Sequence, residues 1–413
     1  MQRPDVSALR ERQLDGDYLL PAYEDWCFSR IPGTVAGLLG ADVGPRLPEA
    51  ATEEYGDVSR VVVFLVDGFG LAQWDGERDR IPFLRRFERA GTVTPLTTVF
   101  PSETAAAMNT FHSATLPAEH GVVGWYVYDP DTDEQFEALP FVRKDGTVPE
   151  RIDFADVANA ESIYPALADA GIEVHQVTPF PNEATVPHEY DPDDLSTFAD
   201  AFADAAAEAS DPSYVFAYLP QTDAIAHAEG VDSDDYRETA AETFERISEA
   251  IESLHEATAD DDGQTLVCIT ADHGLIDTER ERNIDLSDPP FELVSDLRTL
   301  TDGTPIRYSG SARNVHLHLR SERIGPVSDL LTAELDARVL RKQEVLDSDL
   351  FGPSPSERFT RRLGDLVVVH RDSSVWYGDE DAGKLDFVAM HGGMHPDEML
   401  IPFATATLDS LGE

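Results

Sequence analysis

Six side chains in this sequence could together bind metal: Asp67, Asp223, His227, Asp272, His273 and His391. Asp67 ends the apolar run Val61–Val66 and is followed by Gly68, so its carboxylate is aimed beyond a buried strand. Asp223 and His227 are four residues apart and share one face of a helical turn. Asp272 and His273 are adjacent and follow the run Thr265–Thr270. His391 opens the stretch His-Gly-Gly-Met-His-Pro, where two glycines let the backbone approach a ligand closely. Taken singly, each has an ordinary explanation: an N-cap, a surface ion pair, a polar loop or a Gly-rich turn. Taken together they are three carboxylates and three imidazoles, a nitrogen-and-oxygen donor set for two divalent ions of the zinc class. Such a pair can clamp the attacking and leaving oxygens of an in-line phosphoryl displacement.

That chemistry needs a nucleophile, and Phe100-Pro-Ser-Glu-Thr104-Ala-Ala-Ala-Met-Asn109 offers one. Pro101 closes an extended segment and the alanines begin a helix. Thr104 then falls in the first helical turn, where free backbone N–H groups and the helix dipole favour an alkoxide and a bound phosphate. Metal coordination would lower its hydroxyl pKa further. Without the six donors, Ser102 would read as a plain N-cap and Thr104 as a first-turn residue.

The elements that must position these groups alternate in type. Arg60–Val66, Ile172–Val177, Tyr214–Leu219 and Thr265–Thr270 are continuous apolar runs, the pattern of strands buried on both faces. Helical patterns lie between and beside them over Ile81–Ala90, Glu103–Ala114, Ile163–Ala170, Leu195–Ala209 and Asp234–Ala257. This alternation predicts an α/β fold, a mostly parallel sheet with helices on both faces and ligands beyond the strand C-termini. The core is expected over 1–282 and 384–413. Residues 283–383 read differently, with shorter alternating segments at Asn314–Leu319 and Asp365–Arg371, a helix at Val327–Leu335 and the turn-rich Phe351–Glu357. They predict a small α+β insertion, possibly a cap, in which Arg307, Arg313, Trp376 and Tyr377 are candidate pocket residues. The acidic runs Asp191–Asp194 and Asp260–Asp262 read as solvated loops.

In order along the chain, these motifs resemble the alkaline phosphatase superfamily, and within it the type I phosphodiesterase/nucleotide pyrophosphatase family. The matching pieces are the strand with Asp67-Gly68, Phe100-Pro-Ser-Glu-Thr104, Leu116-Pro-Ala-Glu-His-Gly-Val-Val-Gly124, Asp223-x3-His227, Thr270-Ala-Asp-His-Gly274 and His391-Gly-Gly393. The resemblance implies an alkaline phosphatase-like fold and a phosphoester hydrolase with two divalent ions, Zn2+ first, with Mn2+ or iron as alternatives. Asp223, His227 and His391 would hold one ion. Asp67, Asp272 and His273 would hold the other, with Thr104 as its fourth ligand and as the nucleophile of a phospho-threonine intermediate. Two in-line steps imply net retention at phosphorus. His120 and His395 would support the site from behind. Trp125 and Asn109 are candidates for contact with a small phosphoester substrate.

Two departures bear on that substrate. Gly124-Trp125 stands where nucleotide pyrophosphatases of the family carry an asparagine that donates to the phosphoryl group. A Trp indole donates one hydrogen bond at most, and its ring can stack on a base or line a pocket. The family's Thr-Phe-Pro-Asn-His stretch is also replaced, by Thr104-Ala-Ala-Ala. A phosphonate C–P hydrolase or a phosphomonoesterase on the same core is therefore a competing expectation. A metal- and phosphate-binding protein without catalysis is a third, disfavoured because nucleophile and ligands are all present. No C/S-x-P-x-R sequence of a sulfatase occurs, and the insertion is small for a cofactor-independent phosphoglycerate mutase.

Charge and composition set the outer bounds. The chain of 413 residues has 31 Lys and Arg against 80 Asp and Glu, a formal charge of −49. That balance offers no electrostatic footprint for a nucleic-acid polymer or an anionic membrane. Yet 41% of residues are hydrophobic, ample for a packed core. Two cysteines, Cys27 and Cys268, exclude a disulfide framework. No apolar leader opens the chain, so the expected location is cytoplasmic. Oligomeric state has no signature in the sequence. Such acidity suits a host with molar intracellular salt, because at about 1 M the Debye length falls to ~3 Å and self-repulsion is screened. Thermal unfolding followed in KCl from about 0.2 M to about 3 M should move upward, and activity should rise over the same range. A protein most stable and most active at low salt would overturn the habitat reading.

Overall fold

The computed structural model describes residues 4–412 except 53, 181–187, 193, 260–262 and 372. The acidic run Asp260–Asp262, and Asp193 of the other run, lie outside the described residues. Among the described residues, thirteen strands form the two large sheets. In chain order they are β1 (Val58–Val66), β2 (Thr92–Thr97), β3 (Tyr126–Asp129), β4 (Glu134–Glu137), β5 (Glu173–Val177), β6 (His188–Tyr190), β7 (Ser213–Leu219), β8 (Gln264–Thr270), β9 (Gly310–Ser311), β10 (Asn314–Leu317), β11 (Ala337–Arg341), β12 (Leu366–His370) and β13 (Leu400–Thr407). The central sheet has the order β2-β13-β8-β1-β7-β5-β6. Strands β8, β1, β7, β5 and β6 are parallel neighbours, and β13 runs against both β8 and β2. This is the mostly parallel α/β architecture expected from the sequence.

The apolar runs are continuous because both faces of the sheet are covered. Along β1 the side chains alternate between two separate cores. Val61, Val63 and Leu65 join one cluster with Phe111, whereas Val62, Phe64 and Val66 join the other with Phe244. The helices that cover these faces and matter below are α1 (Leu71–Glu77), α2 (Pro82–Ala90), α3 (Thr104–Ser113), α4 (Phe198–Glu208), α5 (Gln221–Glu229) and α6 (Asp234–Ala257). Ser233 caps α6 by accepting from the Tyr236 N–H, and its 24 residues lay Tyr236, Ala240, Phe244, Ile247, Ile251 and Leu254 along one buried stripe.

The second sheet is antiparallel, in the order β11-β12-β10-β9-β3-β4. Four of its strands come from the segment expected as an insertion, and the hairpin β3–β4 comes from residues 126–137. Val127, Phe136, Val367 and Val369 enter the same apolar cluster as one face of the central sheet. A fully buried ion pair also ties it down: Arg362 donates through Nε and Nη2 to Asp129 at 3.0 and 2.7 Å, and through Nη1 to the Gly121 and Val157 carbonyls. Replacing Arg362 by Met leaves a buried carboxylate and two carbonyls without donors. It should destabilise the protein by about 3–5 kcal/mol, read as a fall in the midpoint of thermal or denaturant unfolding.

Candidate metal centre

The site lies where strand order brings four chain segments together. Strands β8, β1 and β7 are adjacent and parallel, so their C-terminal ends lie side by side. Asp67 directly follows β1, and Asp272 follows β8 by two residues. After β7, Pro220 opens α5, which carries Asp223 and His227 one turn apart. Because β13 runs the other way, its N-terminal end lies at this same edge, and the turn from His391 to Met399 is delivered there. Thr104 is the first residue of α3. Gly68 adopts φ +67°, and a Cβ there would meet Asp223 Oδ1 at 3.2 Å and Leu275 Cδ1 at 2.8 Å. The residue after the first carboxylate must be glycine for both reasons.

The six predicted donors fall into two groups. In each, one ligand atom per residue lies within 4.8 Å of the others: Asp223, His227 and His391 in one, Asp67, Asp272 and His273 in the other. His227 Nε2 faces Asp223 Oδ2 at 3.2 Å, and His391 Nε2 faces Asp223 Oδ1 at 3.6 Å. His273 Nε2 faces Asp67 Oδ1 at 3.3 Å, Asp272 Oδ2 at 3.4 Å and Thr104 Oγ1 at 3.1 Å. The groups abut, with the His273 and His391 rings stacked at 3.7 Å. Each imidazole has its other nitrogen against a backbone carbonyl: His227 Nδ1 at 2.8 Å from Ala389 O, His273 Nδ1 at 3.1 Å from Gly274 O, His391 Nδ1 at 3.1 Å from Ser102 O. A carbonyl only accepts, so each Nδ1 carries the proton. Each ring then turns Nε2 toward carboxylate oxygens, the orientation a metal ligand needs.

Carboxylate oxygens and imidazole nitrogens gathered this closely are suited to a cation between them. Asp67 Oδ1, Asp223 Oδ1 and Asp272 Oδ2 are buried without a hydrogen-bond partner. Burial, then the Asp272 and Asp223 charges, pushes the Asp67 carboxyl well above the usual range. Burial also raises Asp272. Burial would raise Asp223 too, but His227 and His391 outweigh it and hold that carboxyl low. Burial, helped by His273, drives His391 well below the ordinary imidazole range. Divalent ions would satisfy all of these groups at once, and the nitrogen-and-oxygen chemistry of the donors fits them.

Other contacts hold the donors in place. Tyr218 donates to Asp67 Oδ2, Thr222 Oγ1 to the Asp67 carbonyl at 2.5 Å, and the Gly68 N–H to Asp272 Oδ1 at 3.2 Å. Ser102 Oγ donates to Gly393 O at 2.8 Å and accepts from the Gly392 N–H at 3.2 Å, tying the nucleophile loop to the His391 turn. Arg313, a candidate pocket residue in the sequence, is instead fully buried. Its Nε and Nη2 donate to Glu398 at 2.6 and 2.8 Å, and Glu398 accepts from the Gly393 and His395 N–H groups. It braces the turn that carries His391. Tyr218, Glu398 and Glu103 were not legible as site residues. Tyr218 is hidden within an apolar strand, and Glu398 and Glu103 are ordinary acids in an acidic chain. Glu103 is fully buried beside Thr104 with neither oxygen partnered, and burial pushes its carboxyl up to about 8.

The remaining expected residues have the following contacts. The Asn109 amide donates to Ala105 O of its own helix at 2.7 Å. Trp125 is half-buried at the entry to β3. His120 accepts from the Val122 N–H at 3.1 Å and lies 3.1 Å from Thr110 Oγ1, and burial drives its pKa down to about 3. His395 caps the short helix Pro396–Met399, accepting from the Asp397 N–H. Arg307 is committed to Asp379 and Glu380, and Trp376 and Tyr377 are buried.

The mostly parallel sheet, with carboxylates and imidazoles gathered past its strand ends, has the alkaline phosphatase-type fold. Residues 61–394 match the family model described as type I phosphodiesterase/nucleotide pyrophosphatase, and the chain belongs to that family of metal-dependent phosphoester hydrolases. No curated protein matches the sequence. Among solved structures, the fold is similar to murine ectonucleotide pyrophosphatase/phosphodiesterase 5, with TM-score 0.65, 20% identity, and 84% of this chain and 87% of that one covered. The human counterpart gives 0.63, 17%, 84% and 87%. Phosphonoacetate hydrolase from Sinorhizobium meliloti 1021, in complex with phosphonoformate, gives 0.60, 17%, 85% and 91%.

The two donor groups predict two divalent ions per chain. Elemental analysis of protein loaded with Zn2+ should find about two, and Asp223→Ala or Asp67→Ala should each reduce the number toward one. Unchanged metal content in both variants would contradict the grouping.

Proposed function

We propose that this protein hydrolyses small phosphoesters of the phosphodiester or pyrophosphate type, with Thr104 as nucleophile. One observation carries the reading. Three imidazoles with Nδ1 committed to carbonyls point Nε2 at three buried carboxylates, and Thr104 Oγ1 lies against His273 Nε2 among them. Asp223, His227 and His391 would hold one divalent ion, and Asp67, Asp272, His273 and Thr104 the other. Bound there, the ions would supply Lewis-acid polarisation of the phosphoryl group and lower the pKa of the threonine hydroxyl. Zn2+ suits the donor set best, with Mn2+ or iron next.

The residues themselves account for the rest. Thr104 attacks phosphorus from the N-terminus of α3, where first-turn N–H groups and the helix dipole stabilise charge on the phosphoryl oxygens. Ester transfer to Thr104 releases the first product. Water then cleaves the phospho-threonine, and two in-line displacements return the configuration at phosphorus. Ser102 and the Arg313–Glu398 pair keep the His391 turn and the threonine in register. Cleavage of a phosphonate C–P bond is the second reading. The neighbour named a phosphonoacetate hydrolase supports it, as does the tryptophan at the place of the family's asparagine. The protein is proposed to act in the cytoplasm; among the described residues no helix is long and apolar enough to cross a membrane.

Thr104→Ala should lower turnover of a chromogenic phosphodiester by about 10^3-fold or more, with metal content near that of the wild type. Full activity in this variant would remove Thr104 as nucleophile. A panel of diesters, monoesters and phosphonates separates the two readings.

A further inference from the structure

Strand β7 alternates between the two cores as β1 does. Tyr214, Phe216 and Tyr218 join one cluster, and Val215, Ala217 and Leu219 join the other. The strand therefore buries two phenols in one apolar layer, where a hydroxyl without a partner is costly. The Tyr214 hydroxyl is buried and unpartnered. Tyr218, equally buried, is placed differently. It pairs with Leu65 in the parallel register, and Asp67 stands two residues beyond Leu65, one pleat repeat along. The phenol spans that step and donates to Asp67 Oδ2. Among the described residues its hydroxyl makes no other hydrogen bond.

This bond decides which part of Asp67 a cation can use. One short segment holds the residue at three points. Its N–H donates to Leu219 O at 3.0 Å, its carbonyl accepts from Thr222 Oγ1 at 2.5 Å, and its Oδ2 accepts from Tyr218. That leaves Oδ1, buried without a hydrogen-bond partner and 3.3 Å from His273 Nε2. Asp272 has the same arrangement by other means. Its Oδ1 accepts from the Gly68 and His273 N–H groups at 3.2 and 3.0 Å, and its Oδ2 is buried without a partner, 3.4 Å from the same His273 nitrogen. The terminal torsion of a carboxylate is broad and two-fold, so nothing in the Asp67 side chain itself selects one oxygen. Backbone donors make the choice for Asp272, and a side chain makes it for Asp67. The Asp67 lock is thus one that a substitution can open.

We propose that Tyr218 is a positioning residue for the ion of the Asp67, Asp272 and His273 group. It holds Asp67 as a single-oxygen ligand and so sets the affinity of that ion, without acting on the ion of the Asp223, His227 and His391 group. The proposal rests on the reading that each donor group holds one divalent ion. Thr104 Oγ1 lies against His273 Nε2, so the ion that Tyr218 governs is the one beside the nucleophile.

Tyr218→Phe removes the hydroxyl and keeps the ring. Zn2+-loaded protein is titrated with a chelator of known affinity, and Cd2+-loaded protein is followed by cadmium NMR, with Asp67→Ala and Asp223→Ala assigning the two resonances. In Tyr218→Phe one ion should bind about 10–100-fold more weakly, the usual effect of removing a ligand's supporting partner. The spectral change should be confined to the resonance that Asp67→Ala abolishes. Wild-type affinity for both ions, or equal weakening of both, would overturn the proposal. If Tyr218→Phe does not fold, a crystal structure of the Zn2+-loaded wild type decides it. Asp67 should then bond the ion through Oδ1 while Oδ2 stays on Tyr218, and a bond from Oδ2 to either ion would count against the role. A wild type that holds fewer than two ions would strike the two-ion reading, and this proposal with it. No step of the test uses turnover, so a failure of the hydrolase reading alone leaves the affinities standing.

Discussion

The site is governed by the convergence of like donors. Three carboxylates and three imidazoles meet at 3.2–3.6 Å, most of them buried. Asp67 Oδ1, Asp223 Oδ1 and Asp272 Oδ2 are buried there without a hydrogen-bond partner. Protons on the Asp67 and Asp272 carboxyls, which burial and neighbouring carboxylates push up, would offset part of this crowding. A divalent cation does it more completely, since one ion accepts several lone pairs at once. The fold must hold these groups convergent for such an ion.

The holding comes from backbone geometry first. Parallel pairing of β8, β1 and β7 fixes Asp67 and Asp272 by register, and α5 takes Asp223 and His227 as a rigid pair. His391 follows only a two-residue strand, Ala389–Met390, paired with Ile276–Asp277 outside the central sheet, and polar contacts complete its support. Its ring is set by Ser102 O, and the turn beyond it is clamped through Gly393 to Glu398, and from Glu398 to Arg313 of the second sheet. A buried arginine–glutamate pair is a poor source of net stability but a strong geometric restraint. The second sheet thus does more than cover the core: it braces the least supported ligand.

Much of this was legible in the sequence, for definable reasons. The strands β1, β7 and β8 differ by at most two residues at each end from the predicted runs, and α6 spans the predicted Asp234–Ala257, because continuous apolar runs and long amphipathic stripes leave few alternatives. The edge strand β2 and its neighbour β13 were not legible. Each carries a proline, and Pro95 lies opposite Pro402 in the register, so both lose the local signature of a strand while tertiary packing keeps them paired. The hairpin β3–β4 was missed because its alternating polar pattern, Tyr-Val-Tyr-Asp and Glu-Gln-Phe-Glu, is short and lies far in sequence from its partner β9. For the site, ligands at strand ends were visible by type and spacing. Arg313 was misplaced because a lone arginine gives no sign of whether it ends in solvent or in a buried carboxylate.

The same distinction applies to charge. A net charge of −49 describes the coat of the molecule and says little about its site. Many of the arginines are spent in local ion pairs with acids a few residues away, as at Arg85 with Asp79 and Glu88 or Arg361 with Glu357. Those pairs are exposed and contribute little individually. What matters is the charge the fold buries. Arg362 with Asp129, and Arg313 with Glu398, are ion pairs out of water whose desolvation offsets most of their attraction, so their return is geometric: each fixes a segment that supports the site.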